Sequence, residues 1–490
     1  MIKPSFDEFR KKLKSGNVIP VWDEVPASGG TPVSAFAGID EGGHSFLFES
    51  VEGGDKWARY SFLGSGADCV FRARGDKIEI EERGAVSRET GDPFECLRTL
   101  LGRYKFVEDP VLPRFAGGAV GYMSYDAVRF IEKLPRENPD VLGVWDFYFM
   151  IAPAVLIFDN VKNDVKTVVC AHCPEGADAR EVYDSAVREI ERLKKAVSSP
   201  DVKRNGPPAP RRGGGLVSNF EKDDFENSVN RVKEYIKDGD IIQAVISQRW
   251  SADLDVSPFT LYKALRVLNP SPYMFFLKMP DQILVGSSPE VMARVEDGVV
   301  ESRPIAGTRP RGADEKEDLA LEKELLSDEK ERAEHIMLVD LARNDLGRIA
   351  KPGTVRVDSF MNVERYSHVM HIVSNIKGAM TEGTDVVDVV KATFPCGTLS
   401  GAPKVRAMEI IEEIEPDTRG PYGGTVGYMS FSGEMDTCIT IRTFLIKDGK
   451  IHVQAGAGIV ADSDPAREYE ETVNKAKGLL KALEKAREME

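Results

Sequence analysis

Pro421-Tyr422-Gly423-Gly424-Thr425-Val426-Gly427-Tyr428-Met429-Ser430-Phe431 is a glycine-rich, aromatic stretch that leads into a strand. Phe115-Ala116-Gly117-Gly118-Ala119-Val120-Gly121-Tyr122-Met123-Ser124-Tyr125-Asp126 echoes it. Such an echo points to two related half-folds. The glycines allow close backbone approach, and neither stretch has the form of a phosphate loop. Outward from them, the first half reads mainly as strands, at 18–22, 44–50 and 57–64, with a hairpin turning on Gly75-Asp76. The second half alternates strands and helices. A helix spans 222–237, strands span 241–249 and 283–286, a hairpin turns on Asp297-Gly298, and strands span 355–361 and 369–377.

The chain has 490 residues and a formal net charge of -15. That length predicts two or three domains. Acidity disfavours nucleic acid and anionic membrane as partners, and an anionic ligand would need local cations. Six cysteines in so long a chain make no disulfide framework. Cys170-Ala171-His172-Cys173 has half the spacing of a zinc site and no second pair. A reduced, cytoplasmic setting fits this cysteine usage. Ser5-Phe6-Asp7-Glu8 is a capping box opening an amphipathic helix, not a signal peptide. The most apolar run, 147–158, is too short to span a bilayer and contains Pro153. The clearest linker is 198–215, rich in Pro and Gly. It separates an N-terminal lobe, 1–197, from a second unit, 216–490.

The stretch 327–347 should form a helix capped by Ser327 and stopped at Gly347. Leu338, Leu341 and Ala342 make its apolar stripe, and stepping back along that stripe reaches Glu334 and Glu331. The last helix, opened by Asp464-Pro465, repeats the arrangement with Glu468 and Glu471. These acids are either solvated helix faces or an oxygen-donor set for a hard cation, magnesium before calcium.

Other positions stand out singly. Gln243 is polar within an apolar run and needs a partner or a pocket. Residues 303–312 read as a long basic loop, and Ser287 to Glu290 as the loop ending a strand. Ser400 is a natural cap for the helix that follows, behind a glycine-rich turn suited to an anion. Cys396 invites a thiol-nucleophile reading, with no base placed beside it. His368 and His371 lie in or beside a strand, where a histidine is more often structural than catalytic. Arg442 interrupts an apolar strand, and a guanidinium there calls for a carboxylate. Gly456, Gly458 and Ala461 have the G-x-G-x-x-A form of a dinucleotide site, but Asp464-Pro465 starts the helix too late for it.

Taken together, 304–312, 338–345, 397–404 and 454–462 resemble the chorismate-utilising enzymes, most closely the large-subunit (component I) family of anthranilate synthases. The resemblance covers nearly the whole chain. It implies an α+β fold in which large antiparallel sheets form a sandwich with peripheral helices and two intertwined lobes. It implies amination of chorismate by ammonia and loss of pyruvate. Glu334 and Glu471 would be magnesium ligands, with Glu331 and Glu468 supporting them. Arg442, Tyr422, Gly456 and Gly458 would hold the enolpyruvyl carboxylate, and Thr398, Gly307 and Thr308 would line the pocket. Glu290 would be the general acid, its pKa raised by burial, with His371 beside the departing hydroxyl. Isochorismate and salicylate synthases resemble this chain but have Lys at the place of Gln243, so ammonia is favoured over water. Ala306 favours anthranilate over 4-aminobenzoate chemistry. Glu49 and Ser50, with Asn269, Pro272, Tyr273, Met274, Val426 and Tyr428, resemble the family's tryptophan-inhibition site, Phe48 replacing the usual Leu. A separate glutamine amidotransferase subunit would supply ammonia. A non-catalytic anion-binding protein, an aminodeoxychorismate or isochorismate synthase, and a dinucleotide oxidoreductase are the competing readings.

Overall fold

The structure, a computed structural model, describes residues 1–27, 30–51, 59–198, 215–366 and 369–490. Most of the 198–215 linker, His368 and the start of the 57–64 strand lie outside the described residues.

Two large antiparallel sheets pack face to face, and each takes strands from both halves of the chain. In the first sheet, Ser45–Glu49 pairs with Tyr273–Lys278. In the second, Gly118–Met123 pairs with Thr425–Ser430. The echo seen in the sequence therefore has a spatial meaning. The two glycine-aromatic strands are antiparallel neighbours, and Gly121 lies opposite Gly427 at their centre. A Cβ on Gly121 would lie 1.9 Å from the Tyr148 carbonyl oxygen, and one on Gly427 would lie 2.2 Å from that of Asp436. No side chain fits at either position.

Alternation along the strands divides the apolar residues among layers. Phe46, Val120, Tyr122, Phe275, Val426 and Tyr428 fill the space between the sheets. Leu47, Phe276 and Phe444 face outward, against Pro258–Leu268 and Pro465–Met489 among other helices. Helices Pro93–Leu101, Glu329–Gly347 and Val386–Thr393 cover the second sheet. This is the α+β sandwich with outer helices and interleaved lobes that the resemblance implied. No helix among the described residues is long and apolar enough to cross a membrane.

Two chain crossings place the chemistry. Gln282–Ser288 belongs to the first sheet and Val291–Glu296 to the second, so Glu290 sits where the chain passes between them. Met435–Ile439 belongs to the second and Thr443–Lys447 to the first, so Arg442 sits at the return crossing. The crossings are stitched together: the Ile439 amide donates to the Glu290 carbonyl at 3.0 Å, and the Ser287 amide to the Arg442 carbonyl at 3.1 Å. Arg442 holds φ at +50°, a left-handed conformation uncommon outside glycine.

Three local expectations are corrected. The acid-bearing helix is capped by Asp328, which accepts from the Lys330 and Glu331 amides at 3.0 and 3.2 Å. Ser327 instead ends a preceding helix, Glu315–Ser327, that sequence reading did not anticipate. The supposed loop at 303–312 contains a strand, Ile305–Pro310, paired with Val369–Ala379. Its prolines and glycine suggested irregularity, yet an edge strand tolerates them. Ser400 does not cap a helix; its hydroxyl donates to the Cys396 carbonyl, and Pro403 precedes the helix Lys404–Ile414.

Candidate active site

One cavity of about 590 Å³ opens where the crossings meet the two acid-bearing helices. Glu290, His371, Gln243, Gly307, Thr308, Thr398, Tyr422, Arg442, Gly456 and Gly458 all line it, as do Glu331, Glu334, Glu468 and Glu471. Every position assigned to substrate, catalysis or metal thus faces one space. Sequence reading missed Lys330, Lys475 and Gln454 on the same wall.

Glu290 accepts a hydrogen bond from Thr398 Oγ1 at 2.9 Å on Oε2. Burial raises its pKa, and Thr398 and Arg442 only partly offset this. Arg442 makes no ion pair or hydrogen bond through its side chain with any described residue, contrary to the expected carboxylate partner. Burial lowers its pKa, while Glu290 and Tyr366 act in the opposite sense. A half-buried guanidinium facing a cavity without a bonded counterion is a strong site for an anion.

Gly307, at φ +67°, forms a bulge between Ala306 and Thr308. The turn brings its carbonyl within 3.0 Å of His371 Nδ1, and Thr308 Oγ1 lies 3.1 Å from the same nitrogen. A carbonyl can only accept, so Nδ1 carries the proton and Nε2 is left with its lone pair. Burial, the largest influence, lowers the His371 pKa and keeps the ring neutral.

Gln243 is 4% exposed, and its Oε1 has no hydrogen-bond partner among the described residues. Gly458 makes room for it, since a Cβ there would lie 2.4 Å from Gln243 Nε2. Arg419, the largest fully buried side chain, braces this wall from behind. It donates to both oxygens of Glu415 at 2.8 and 2.7 Å, and to the Leu399 and Val245 carbonyls at 2.6 Å each. Its guanidinium also lies 5.7 Å from the Tyr422 ring centre.

The four acids are not alike. Glu331 pairs with Arg309 at 3.1 Å, and Glu471 with Lys475 at 2.8 Å. Glu334 has no such partner among the described residues. Burial first, then Glu331 and Glu471, raises its pKa. Burial and Glu471 likewise raise that of Glu468, against a hydrogen bond from Ser463. Among the described residues, no three His, Cys, Asp or Glu side chains converge closely enough to hold a metal as they stand. The donor chemistry nevertheless fits a hard divalent ion, because Glu334 and Glu468 have no ion-pair partner among the described residues and each is repelled by a neighbouring carboxylate.

Two weaker readings fall away. Cys396 is no nucleophile: burial and Glu290 raise its pKa, and its neighbour is the Thr398 hydroxyl, not a base. Gly456 and Gly458 sit inside an antiparallel strand, Lys450–Ile459, not at a helix start, which removes the dinucleotide geometry.

A second pocket lies between the sheets, lined by Ser50, Pro272, Tyr273, Met274, Val426 and Tyr428. Phe48, the residue that replaces the usual Leu, lines it too, and Tyr60, Phe62 and Arg114, not anticipated, join them. Arg114 and Tyr273 converge on Asp436 at 3.0 and 2.8 Å. Glu49 contributes to the wall, but its carboxylate faces the other side of the sheet. There it accepts from Tyr262 at 2.5 Å and from Arg266 at 2.9 and 3.1 Å. Asn269 is not among the lining residues; its carbonyl accepts from the Ser287 hydroxyl.

Comparison with known proteins agrees with this geometry. Residues 44–481 match the chorismate binding enzyme family. The chain belongs to that family. It is 49% identical to anthranilate synthase component 1 of Acetivibrio thermocellus, over 100% of both chains. It is 50% identical to anthranilate synthase component 1 of Aquifex aeolicus, over 99% of this chain and 98% of that one. A crystal structure of anthranilate synthase component I from Streptococcus pneumoniae superposes with a TM-score of 0.75 at 36% identity, covering 86% of this chain and 92% of that one.

Proposed function

We propose that the chain is the chorismate-aminating subunit of an anthranilate synthase, a cytoplasmic enzyme that uses ammonia released by a separate glutamine amidotransferase. The observation that carries this reading is one cavity holding Arg442 without a bonded counterion, the repelled carboxylate of Glu334, and a Glu290 whose pKa burial raises. Relatives matched over essentially their whole length bear the name anthranilate synthase component 1.

Arg442 and Tyr422 hold the enolpyruvyl carboxylate, with amides near Gly456 and Gly458 assisting. Glu334 and Glu471 would hold magnesium, supported by Glu331 and Glu468. The ion would supply charge neutralisation for the ring carboxylate. Ammonia attacks the ring carbon beside the one bearing that carboxylate. The conjugated double bonds shift, the ring C–O bond breaks, and Glu290 donates its proton so that water leaves. The new ammonium nitrogen gives up a proton. The aminated carbon then loses its hydrogen as a proton, for which His371 Nε2 is the neutral acceptor within the cavity. The electron pair left behind closes the aromatic ring as the enolpyruvyl C–O bond breaks; the enolate of pyruvate departs and takes up a proton at its methylene carbon to become pyruvate. Gln243 has no titratable proton, so it cannot activate water as a lysine at this position would.

The deciding assay is purified chain with chorismate, magnesium and ammonium, followed by anthranilate fluorescence. Fluorescence should rise with ammonium and not with glutamine alone. An absence of product would favour a non-catalytic anion-binding protein.

The second pocket suits tryptophan: an aromatic cage for indole, beside the polar Arg114–Asp436 pair. Its walls share strands with the active site. Met274 pairs with Ser287, whose amide holds Arg442, and Cys438 precedes Ile439, whose amide holds Glu290. A ligand wedged there bears on both crossings at once. Added tryptophan should therefore inhibit the wild type, and Ser50→Phe, which fills the pocket, should abolish inhibition while leaving the uninhibited rate unchanged. A wild type indifferent to tryptophan would end this assignment.

A further inference from the structure

Behind Tyr422 and Gln454 lies a small cavity of about 20 Å³. Both residues also line the large cavity, so they form a common wall between the two spaces. The small one has room for a single water-sized molecule and for no organic ligand. Thr440 lines it at 1% exposure, and its Oγ1 has no hydrogen-bond partner among the described residues. Half-buried Thr443 and His452 stand on its other walls.

The charge of this lining is one-sided. Arg249 and Arg419 face the cavity, whereas their carboxylate partners, Asp417 and Glu415, are not among the lining residues. His452 adds no negative charge: burial first, then Arg249 and Lys450, lowers its pKa to about 4, so the ring is neutral. Its Nδ1 is engaged with the Ser251 hydroxyl at 2.8 Å. Each guanidinium is ion-paired away from the chamber, so its wall offers no carboxylate to hold ammonium and suits a small neutral molecule such as ammonia, the form with a nucleophilic lone pair. Another small cavity touching the active site, behind Glu290 and Thr398, carries mixed charge, with Asp345 and Arg303 both on its lining.

We propose that the chamber bounded by Tyr422, Gln454, Thr440 and Arg249 is a binding site for neutral ammonia, from which it reaches chorismate without passing the substrate-filled mouth. This rests on the amination chemistry proposed above. Thr440 Oγ1 accepts a hydrogen bond from the ammonia and acts as a positioning residue.

The test varies ammonium at saturating chorismate, and chorismate at saturating ammonium, in the purified full chain. Thr440→Val keeps the shape and removes the hydroxyl. It should raise the apparent KM for ammonium about five-fold, the effect of one net hydrogen bond, with the KM for chorismate unchanged. Thr440→Ser should restore wild-type behaviour. Thr443→Leu, which narrows the chamber from a half-buried wall, should also raise the ammonium KM, and it serves if Thr440→Val does not fold. An ammonium KM unchanged in the folded variants would overturn the proposal and leave the chamber holding a structural water only. A rise in both KM values together would also overturn it, since that reports a distorted active site. Wild-type chain that makes no anthranilate from chorismate and ammonium would overturn the parent reading and this one with it.

Discussion

Glu290→Gln should lower kcat by roughly 10²–10⁴-fold, the usual worth of a positioned general acid, while the KM for chorismate changes little. The amide oxygen still accepts the Thr398 hydrogen bond now made at 2.9 Å, so the wall of the cavity keeps its shape. What is lost is the proton delivered to the leaving hydroxyl. The pH dependence gives a second readout with a definite sign. Burial raises the Glu290 pKa, and the group works only when protonated. The rate, expressed per neutral ammonia, should therefore fall as pH rises through a value above the ordinary carboxylate range. That falling limb should be absent in Glu290→Gln. A variant with wild-type kcat would remove Glu290 from the mechanism.

Chelation should abolish turnover, magnesium should restore it, and Glu334→Gln should prevent the restoration. Loss of even a supporting partner costs a metal site ~10–100-fold in affinity, and Glu334 is placed as a direct ligand. Thermal unfolding separates this from a general defect. Glu334 is half-buried beside Glu331 and Glu471, and desolvation first, then their repulsion, raises its pKa. Replacing it by a neutral amide relieves that repulsion, so the metal-free variant should melt above the metal-free wild type. A bound ion stabilises the folded chain by mass action, so magnesium should raise the wild-type Tm and leave the Glu334→Gln Tm nearly unmoved. Equal magnesium-induced shifts in both proteins, with activity surviving chelation, would remove the ion from this site.

Much of the site was legible because its signals are local. Glu331 and Glu334 follow an apolar stripe at helical spacing, and Glu468 and Glu471 repeat the pattern behind Asp464-Pro465. Such periodicity survives in one dimension. Gln243 stood out as a polar residue in an apolar run, and the structure leaves its Oε1 unpaired. Capping chemistry was less readable at 327–328. Ser and Asp are adjacent there and both can cap, and the choice depends on Arg309, which pairs with Asp328 from another strand. The strand at 305–310 was hidden because its partner, Val369–Ala379, is remote in sequence and its own prolines suit an edge. Glu49 shows the same limit: alternation turns its carboxylate toward Tyr262 and Arg266, which sequence adjacency to Ser50 could not reveal.

From the sequence alone came the two acid pairs, the glycine-aromatic echo and the residue types of a polyanion pocket, because spacing and composition carry them. Only the folded chain decides that Glu290 and Arg442 become neighbours. Each sits where the chain leaves one sheet for the other, and the two crossings are joined by backbone hydrogen bonds between Ile439 and Glu290 and between Ser287 and Arg442. Those contacts span more than a hundred residues, and long-range pairing of strands leaves no periodic trace along the chain. Burial, too, belongs to the packed state: it raises the Glu290 pKa, and the packing leaves Arg442 without a bonded counterion among the described residues, and neither follows from the residue type.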